Sequence, residues 1–162
     1  MTATATASTA PRQAAGAASA GSIQALMVGI GSEIFAIETA MVREIIDPVP
    51  LTRVAGSRAH VPGLINVRGN IIPLADLRER FGMPQTAATP DTRIVVIEVE
   101  IDDDPVALGI IADKVHEVTA ISRADAQVTP RIGMNWKPEY IGFISKWNGE
   151  FIIVPNISTI LN

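Results

Sequence analysis

Few residues of this sequence have the type and spacing to do chemistry. They are two histidines, a run of three aspartates, a paired glycine, one carboxylate pair and an arginine set in a glycine turn. His60 and His116 are the only histidines and lie in different halves of the chain, without companions at metal-ligand spacing. They read as turn or surface histidines. Asp102, Asp103 and Asp104 are consecutive, whereas a calcium loop needs alternating acids, a central glycine and a terminal glutamate. They read as a solvated hairpin turn. Gly29-Ile30-Gly31 opens a dinucleotide fingerprint but lacks its third glycine and the long helix that should follow. No phosphate-cradling lysine loop and no serine elbow occur. Asp76 and Glu79 have the spacing of an acid–base pair, but also of a helix cap with its capping-box partner, and the cap explains both. There is no cysteine, which excludes disulfides and thiolate zinc sites. The expectation is no catalysis, no metal and no cofactor.

One segment resists a purely structural reading: Gly63-Leu64-Ile65-Asn66-Val67-Arg68-Gly69-Asn70-Ile71-Ile72-Pro73-Leu74-Ala75-Asp76-Leu77. Two buried strands around a turn explain its apolar residues and Gly69. They do not explain an arginine at the tip, beside Asn66. Guanidinium is a planar five-donor fork suited to carboxylates at interfaces.

The elements that must position this segment are short strands. The chain holds 22 Ile and 14 Val against 7 Leu, and branched side chains favour a pleated surface over a helix. Alternation and turn residues predict strands over 24–30 and 33–37 around Gly31-Ser32, and over 43–49 after one helical turn at 39–42. Further strands are predicted over 62–67 and 71–74 around Arg68-Gly69-Asn70. Asp76 then caps a helix over 77–81 that Gly82 stops. After a polar connector at 83–91, strands are predicted over 92–101 and 106–112 around residues 102–105, and over 115–121. A last hairpin, 141–147 and 150–154, turns at Asn148-Gly149, and Asn156 caps a helix over 157–161.

The two halves echo each other. Val42-Arg43-Glu44-Ile45 recurs as Val115-His116-Glu117-Val118, 73 residues on. The stretch from Gly69 to Leu77 recurs as Gly149 to Ile157, 80 residues on. This favours two similar small barrels: a first over 23–85 and a second over 92–162. Residues 1–22, rich in Ala, Thr and Ser and without Ile, Leu, Val or Phe, are expected to be a disordered tail. They lack the basic start and apolar stretch of an export signal, so a cytoplasmic protein is expected. No apolar run is long enough for a spanning helix, so direct membrane insertion is not expected. Net charge is −4, and residues 91–162 alone carry 6 basic and 11 acidic groups, so no nucleic-acid partner is expected.

The segment GLINVRGNIIPLADLRERFG closely resembles the signature of the CheW coupling-protein family of bacterial chemotaxis. Further matches keep the family order: EIFAIETAMVREIIDPVP, VALGIIADKVHEV and YIGFISKWNGEFIIVPNISTIL. The resemblance covers residues 23–162. The motif is shared with the regulatory domain of the kinase CheA and with CheV-type fusions, but these 162 residues hold no kinase or receiver domain, so the stand-alone coupling protein is expected. The resemblance implies an all-β fold of two tandem five-stranded SH3-like barrels sharing a hydrophobic core, with short helices. It implies a non-catalytic adaptor that binds the CheA regulatory domain and the cytoplasmic tip of methyl-accepting chemoreceptors, within receptor arrays. Residue by residue, it places Arg68 on the family's turn arginine, Glu44 on the acid near it, Val42 on an apolar receptor-contact position and Gly63 on a small partner-facing one. Asn66 and Gly69 complete the motif, and Ile111 and Val115 fall toward the groove between barrels. Residues 130–138 have no counterpart, and Trp136 is read there as a loop residue packed on its own barrel.

Overall fold

In a computed structural model, residues 21–123 and 137–161 are described. The tail before residue 21 and most of the 130–138 stretch, including Trp136, lie outside the described residues. The strands are β1 (Ser22–Ile30), β2 (Glu33–Glu38), β3 (Val42–Ile46), β4 (Thr52–Arg53), β5 (Gly63–Val67) and β6 (Asn70–Ala75). Then come helix α1 (Leu77–Phe81), β7 (Arg93–Ile101), β8 (Asp104–Ala112), β9 (Lys114–Ser122), a 3-10 turn (Pro138–Tyr140), β10 (Ile141–Trp147), β11 (Glu150–Pro155) and helix α2 (Ile157–Leu161).

Turn chemistry sets the hairpins. Arg68-Gly69, Asp102-Asp103 and Asn148-Gly149 have positive φ at both central residues, the type I′ pattern whose twist matches that of paired strands. Gly31 alone is positive at the β1–β2 turn, as type II′ requires. The Asp102-Asp103 turn is therefore two residues long, with Asp104 and Pro105 already in β8 rather than in the turn. Residues 39–41 form a turn and not a helical one. Asp76 caps α1 by accepting from Arg78 N at 3.0 Å, and Gly82 ends it in the left-handed region. Glu79 does not close a capping box: Asp76 N donates instead to His60 O at 2.8 Å, and Glu79 accepts from Gln85 at 2.7 Å.

The strands form two sheets, β10-β11-β2-β1-β9 and β3-β7-β8-β6-β5-β4. Set side by side, they are the same sheet. Each has a central antiparallel hairpin (β1–β2 or β7–β8), an antiparallel flanking strand (β9 or β3) and a second hairpin joined in parallel (β11–β10 or β6–β5). The duplication read from the sequence is present in space, but neither sheet is a contiguous half of the chain. The hairpin β1–β2 completes the sheet of the second half, and β7–β8 completes that of the first. The connections at the exchange are short: only residues 39–41 separate β2 from β3, and only Asp113 separates β8 from β9. The two-residue β4 is a sixth strand on the second sheet.

Both central hairpins are buried on both faces. Leu26, Val28, Phe35 and Ile37 meet Val95, Ile97, Leu108 and Ile110 in a core between the sheets. Ala25, Met27 and Ala36 face the interior of the first sheet with Ile121, Ile152 and Val154. Ile94 and Val96 face that of the second with Ile65, Val67, Ile72 and Leu74. Both sheets curl, since strands at opposite ends touch. Ser145 Oγ on β10 donates to Ser122 O on β9 at 3.4 Å, and Arg68 beside β5 reaches Glu44 on β3. Two SH3-like barrels with a common core fit this arrangement. Among the described residues no helix is long and apolar enough to cross a membrane.

His60 is buried rather than at the surface. Its Nε2 lies 3.1 Å from Arg80 Nη2, so it accepts, and the ring also bonds the Leu161 backbone at the end of α2. Burial, and secondarily the Arg80 charge, lower its pKa from the usual 6.5, against the raising effect of the Leu161 bond. The unfolded chain thus binds a proton that the folded one refuses. The stability His60 contributes is present above the ordinary histidine range and is lost as pH falls through and below it. The urea midpoint should therefore drop between pH 7.5 and 5.5, and the drop should be smaller in His60→Gln; an equal drop in both would remove His60 as its source.

Candidate functional site

Site residues on β3 owe their directions to a bulge. Val42 pairs with Ile97 and Glu44 with Val96, so Arg43 is the extra residue. Without it, Val42 and Glu44 would share one face. With it, Val42 packs on the core between the sheets, and Glu44 turns to the interior side, toward the far edge of its own barrel. There it meets Arg68, whose Nη2 lies 3.0 Å from Glu44 Oε1. Arg68 sits at φ 53 in the turn, and Asn66 Oδ1 fixes that turn by accepting from Gly69 N at 2.8 Å. The Arg68 side chain is 77% exposed and that of Glu44 31%, so in the free protein this pair contributes little to stability, about 0–1 kcal/mol. On the outer face of the same hairpin, Asn66 and the exposed Ile71 help line a cavity of about 360 Å³ with Pro50, Thr52, Leu64 and Ile65.

The structure thus brings together Glu44, Asn66, Arg68 and Gly69, with Val42 one bulge away. It does not bring in the others. Gly63 is buried under β4: a Cβ there would stand 2.9 Å from Arg53 Cα and closer still to Thr52 O. It faces backbone, not solvent. Ile111 packs on the interior of the second sheet and lines a separate cavity of about 690 Å³ between β4 and α1. Val115 packs on the core between the sheets from β9. Its echo strand repeats the bulge, with Val115 paired to Val28 and Val118 to Leu26.

Sequence reasoning passed over two exposed apolar residues at this site, Ile45 at 43% and Ile71 at 61%. The signal for Ile71 was present. Its equivalent in the echoed turn is Phe151, exposed at 60%, so the strand after each glycine turn presents an apolar residue to water. Among the described residues no three His, Asp or Glu side chains converge as a metal site.

The duplication supplies an internal comparison. The position echoing Glu44 is Glu117, but the one echoing Arg68 is Asn148. The barrel of the β10-β11-β2-β1-β9 sheet closes with this Asn-Gly turn, so the fold does not require an arginine there.

Residues 24–162 match the family model described as CheW-like domain. The chain is 29% identical over 131 residues to the chemotaxis protein CheW of Rhizobium meliloti (strain 1021), covering 81% of this chain and 82% of that protein. It is 31% identical over 132 residues to the chemotaxis protein CheW of Helicobacter pylori (strain ATCC 700392 / 26695), covering 82% and 77%. The crystal structure of the scaffolding protein TtCheW from Thermoanaerobacter tengcongensis superposes with a TM-score of 0.75 at 26% identity, covering 86% of this chain and 88% of that one.

The Gly63 geometry carries a prediction. Gly63→Ala forces the β4 backbone away and should lower unfolding stability by about 1–3 kcal/mol in urea denaturation. Unchanged stability would mean that β4 does not need the missing side chain.

Proposed function

The chain belongs to the CheW-like domain family, and from that premise we propose that it is a non-catalytic chemotaxis adaptor. It joins the regulatory domain of the histidine kinase CheA to the cytoplasmic tip of methyl-accepting chemoreceptors and brings the kinase under receptor control. It works in the cytoplasm, as part of receptor arrays. The relatives' names and the scaffold structure support the adaptor reading. The observation that supports the site is the contrast between the two turns: Arg68 in one, Asn148 in the other, on equivalent backbone.

An exposed ion pair that contributes little to the fold gains value once a partner excludes water from it, because fixed charges then act in a lower dielectric. Arg68 and Glu44 set register, and Val42, Ile45 and Ile71 supply apolar area beside them. Asn66 and Gly69 hold the turn that presents Arg68. Gly63 enters through β4, whose position it permits. Ile111, on the separate cavity, and Val115, on the core between the sheets, lie outside this patch.

Arg68→Asn converts the turn to the Asn-Gly of its echo and keeps the backbone in a conformation asparagine tolerates. The variant should unfold as wild type does, while binding to the kinase regulatory domain or to receptor weakens about 30-fold or more. Receptor-dependent activation of kinase autophosphorylation should fall with it. A variant that binds both partners and restores activation like wild type removes Arg68 from the site.

A further inference from the structure

The most deeply buried charge in the described residues lies away from the Arg68 patch, where the two sheets join. Arg78, on α1, has only 3% of its side chain exposed. Its Nη2 pairs with Asp113 and its Nη1 lies 3.5 Å from Asp76 Oδ1, while its Nε has no acceptor among the described residues. Asp113 is the one residue between β8 and β9, at the point where the chain passes from one sheet to the other. Its second carboxylate oxygen accepts from Gly31 N in the β1–β2 turn at 2.7 Å, and its own N–H donates to Gly29 O at 2.8 Å. On the other side, Asp76 accepts from Gln85 Nε2 at 2.9 Å, and Asp76, Glu79 and Gln85 line the 690 Å³ cavity. One chain of polar contacts therefore runs from the cavity wall of the second sheet to the hairpin turn of the first.

The other crossover of the fold carries no such charge. By the same offsets that relate the two halves, Asp113 corresponds to Ala40 and Arg78 to Ser158. The crossover from β2 to β3 is held by backbone bonds, Thr39 N to Gln24 O at 3.0 Å and Glu98 N to Met41 O at 2.8 Å. An uncharged junction thus suffices at one crossing, whereas the other buries a guanidinium, although apolar replacement of a buried ion pair is often neutral for stability. We propose that the Arg78–Asp113 pair is a coupling latch: a change at the cavity wall of one sheet reaches the β1–β2 turn of the other through it, so that a partner on one sheet alters binding on the other. This rests on the two-partner adaptor reading above.

The test removes both charges together, while the Asp76 carboxylate keeps its bonds from the backbone N–H of position 78 and from Gln85 Nε2. The double variant Arg78→Met/Asp113→Ala makes the second crossover as uncharged as the first, and Arg78→Lys is the conservative companion. Affinities for the kinase regulatory domain alone and for receptor fragment alone should stay within about twofold of wild type. The effect of receptor on kinase autophosphorylation should fall about fivefold or more. In wild type only, adding the kinase regulatory domain should change amide exchange at Gly31. Folded variants that keep full receptor control overturn the latch, as does failure of both variants to fold, which makes the pair purely structural. A wild type that shows no receptor control removes the adaptor reading and the latch together, which separates that failure from failure of the latch alone.

Discussion

Two hairpins buried on both faces constrain everything else in this molecule. Along β1, Ala25 and Met27 face one core while Leu26, Val28 and Ile30 face another. Along β7, Ile94 and Val96 face one core while Val95, Ile97 and Val99 face the other. A strand in that position cannot alternate apolar with polar and must read as an unbroken apolar run. Crowding sets further limits: a Cβ on Gly109 would stand 2.8 Å from Ile94 Cγ2, so β8 keeps a glycine where the barrel is fullest. Because each central hairpin completes the sheet of the other half, neither barrel closes without residues from both sides of the connector. The halves gain their packing together, and the surfaces they carry are held at a fixed relation.

Duplication makes the differences between copies informative. Where the halves agree, the fold explains the agreement: glycine turns, the bulges on β3 and β9, and Asx residues before both short helices. Asp76 accepts from Arg78 N, and Asn156 accepts more weakly from Thr159 N at 3.4 Å. Where the halves differ on equivalent backbone, the fold is satisfied by either residue, and the reason for the choice lies outside it. Arg68 against Asn148 is such a difference at the surface, and Arg78 with Asp113 against Ser158 with Ala40 is one at the junction.

Much of this was legible in the sequence because its causes are local. The glycine turns, the Asx caps and the alternation of branched residues located both helices and nearly every strand. What escaped had non-local causes. β4 is two residues long and exists because Gly63, ten positions away, admits its backbone. His60 looks like a loop residue until α2 covers it from the other end of the chain. The exchange of hairpins escaped for the same reason: the sequence echo reveals two similar units, but not which hairpin completes which sheet. At the site, the motif around Arg68 was visible as a chemical oddity and then as a family signature. The bulge that aims Glu44 at it depends on register with β7, which no local pattern encodes.

An adaptor must keep two surfaces apart yet let one sense the other, and the two demands call for different physics. Apolar packing meets the first. It is dense, cooperative and indifferent to direction, and it resists deformation because cores do not yield continuously. It meets the second poorly for the same reason. A polar path through such a core is directional: each bond requires particular atoms at particular distances, and in a low dielectric the loss of one is felt by its neighbours. Here the apolar core between the sheets and the polar path from Asp76 to Gly31 occupy the same junction. The core sets the distance between the surfaces, and the path, which starts at Asp76 and Gln85 on the cavity wall, is an element whose geometry a partner there can change without unpacking the core.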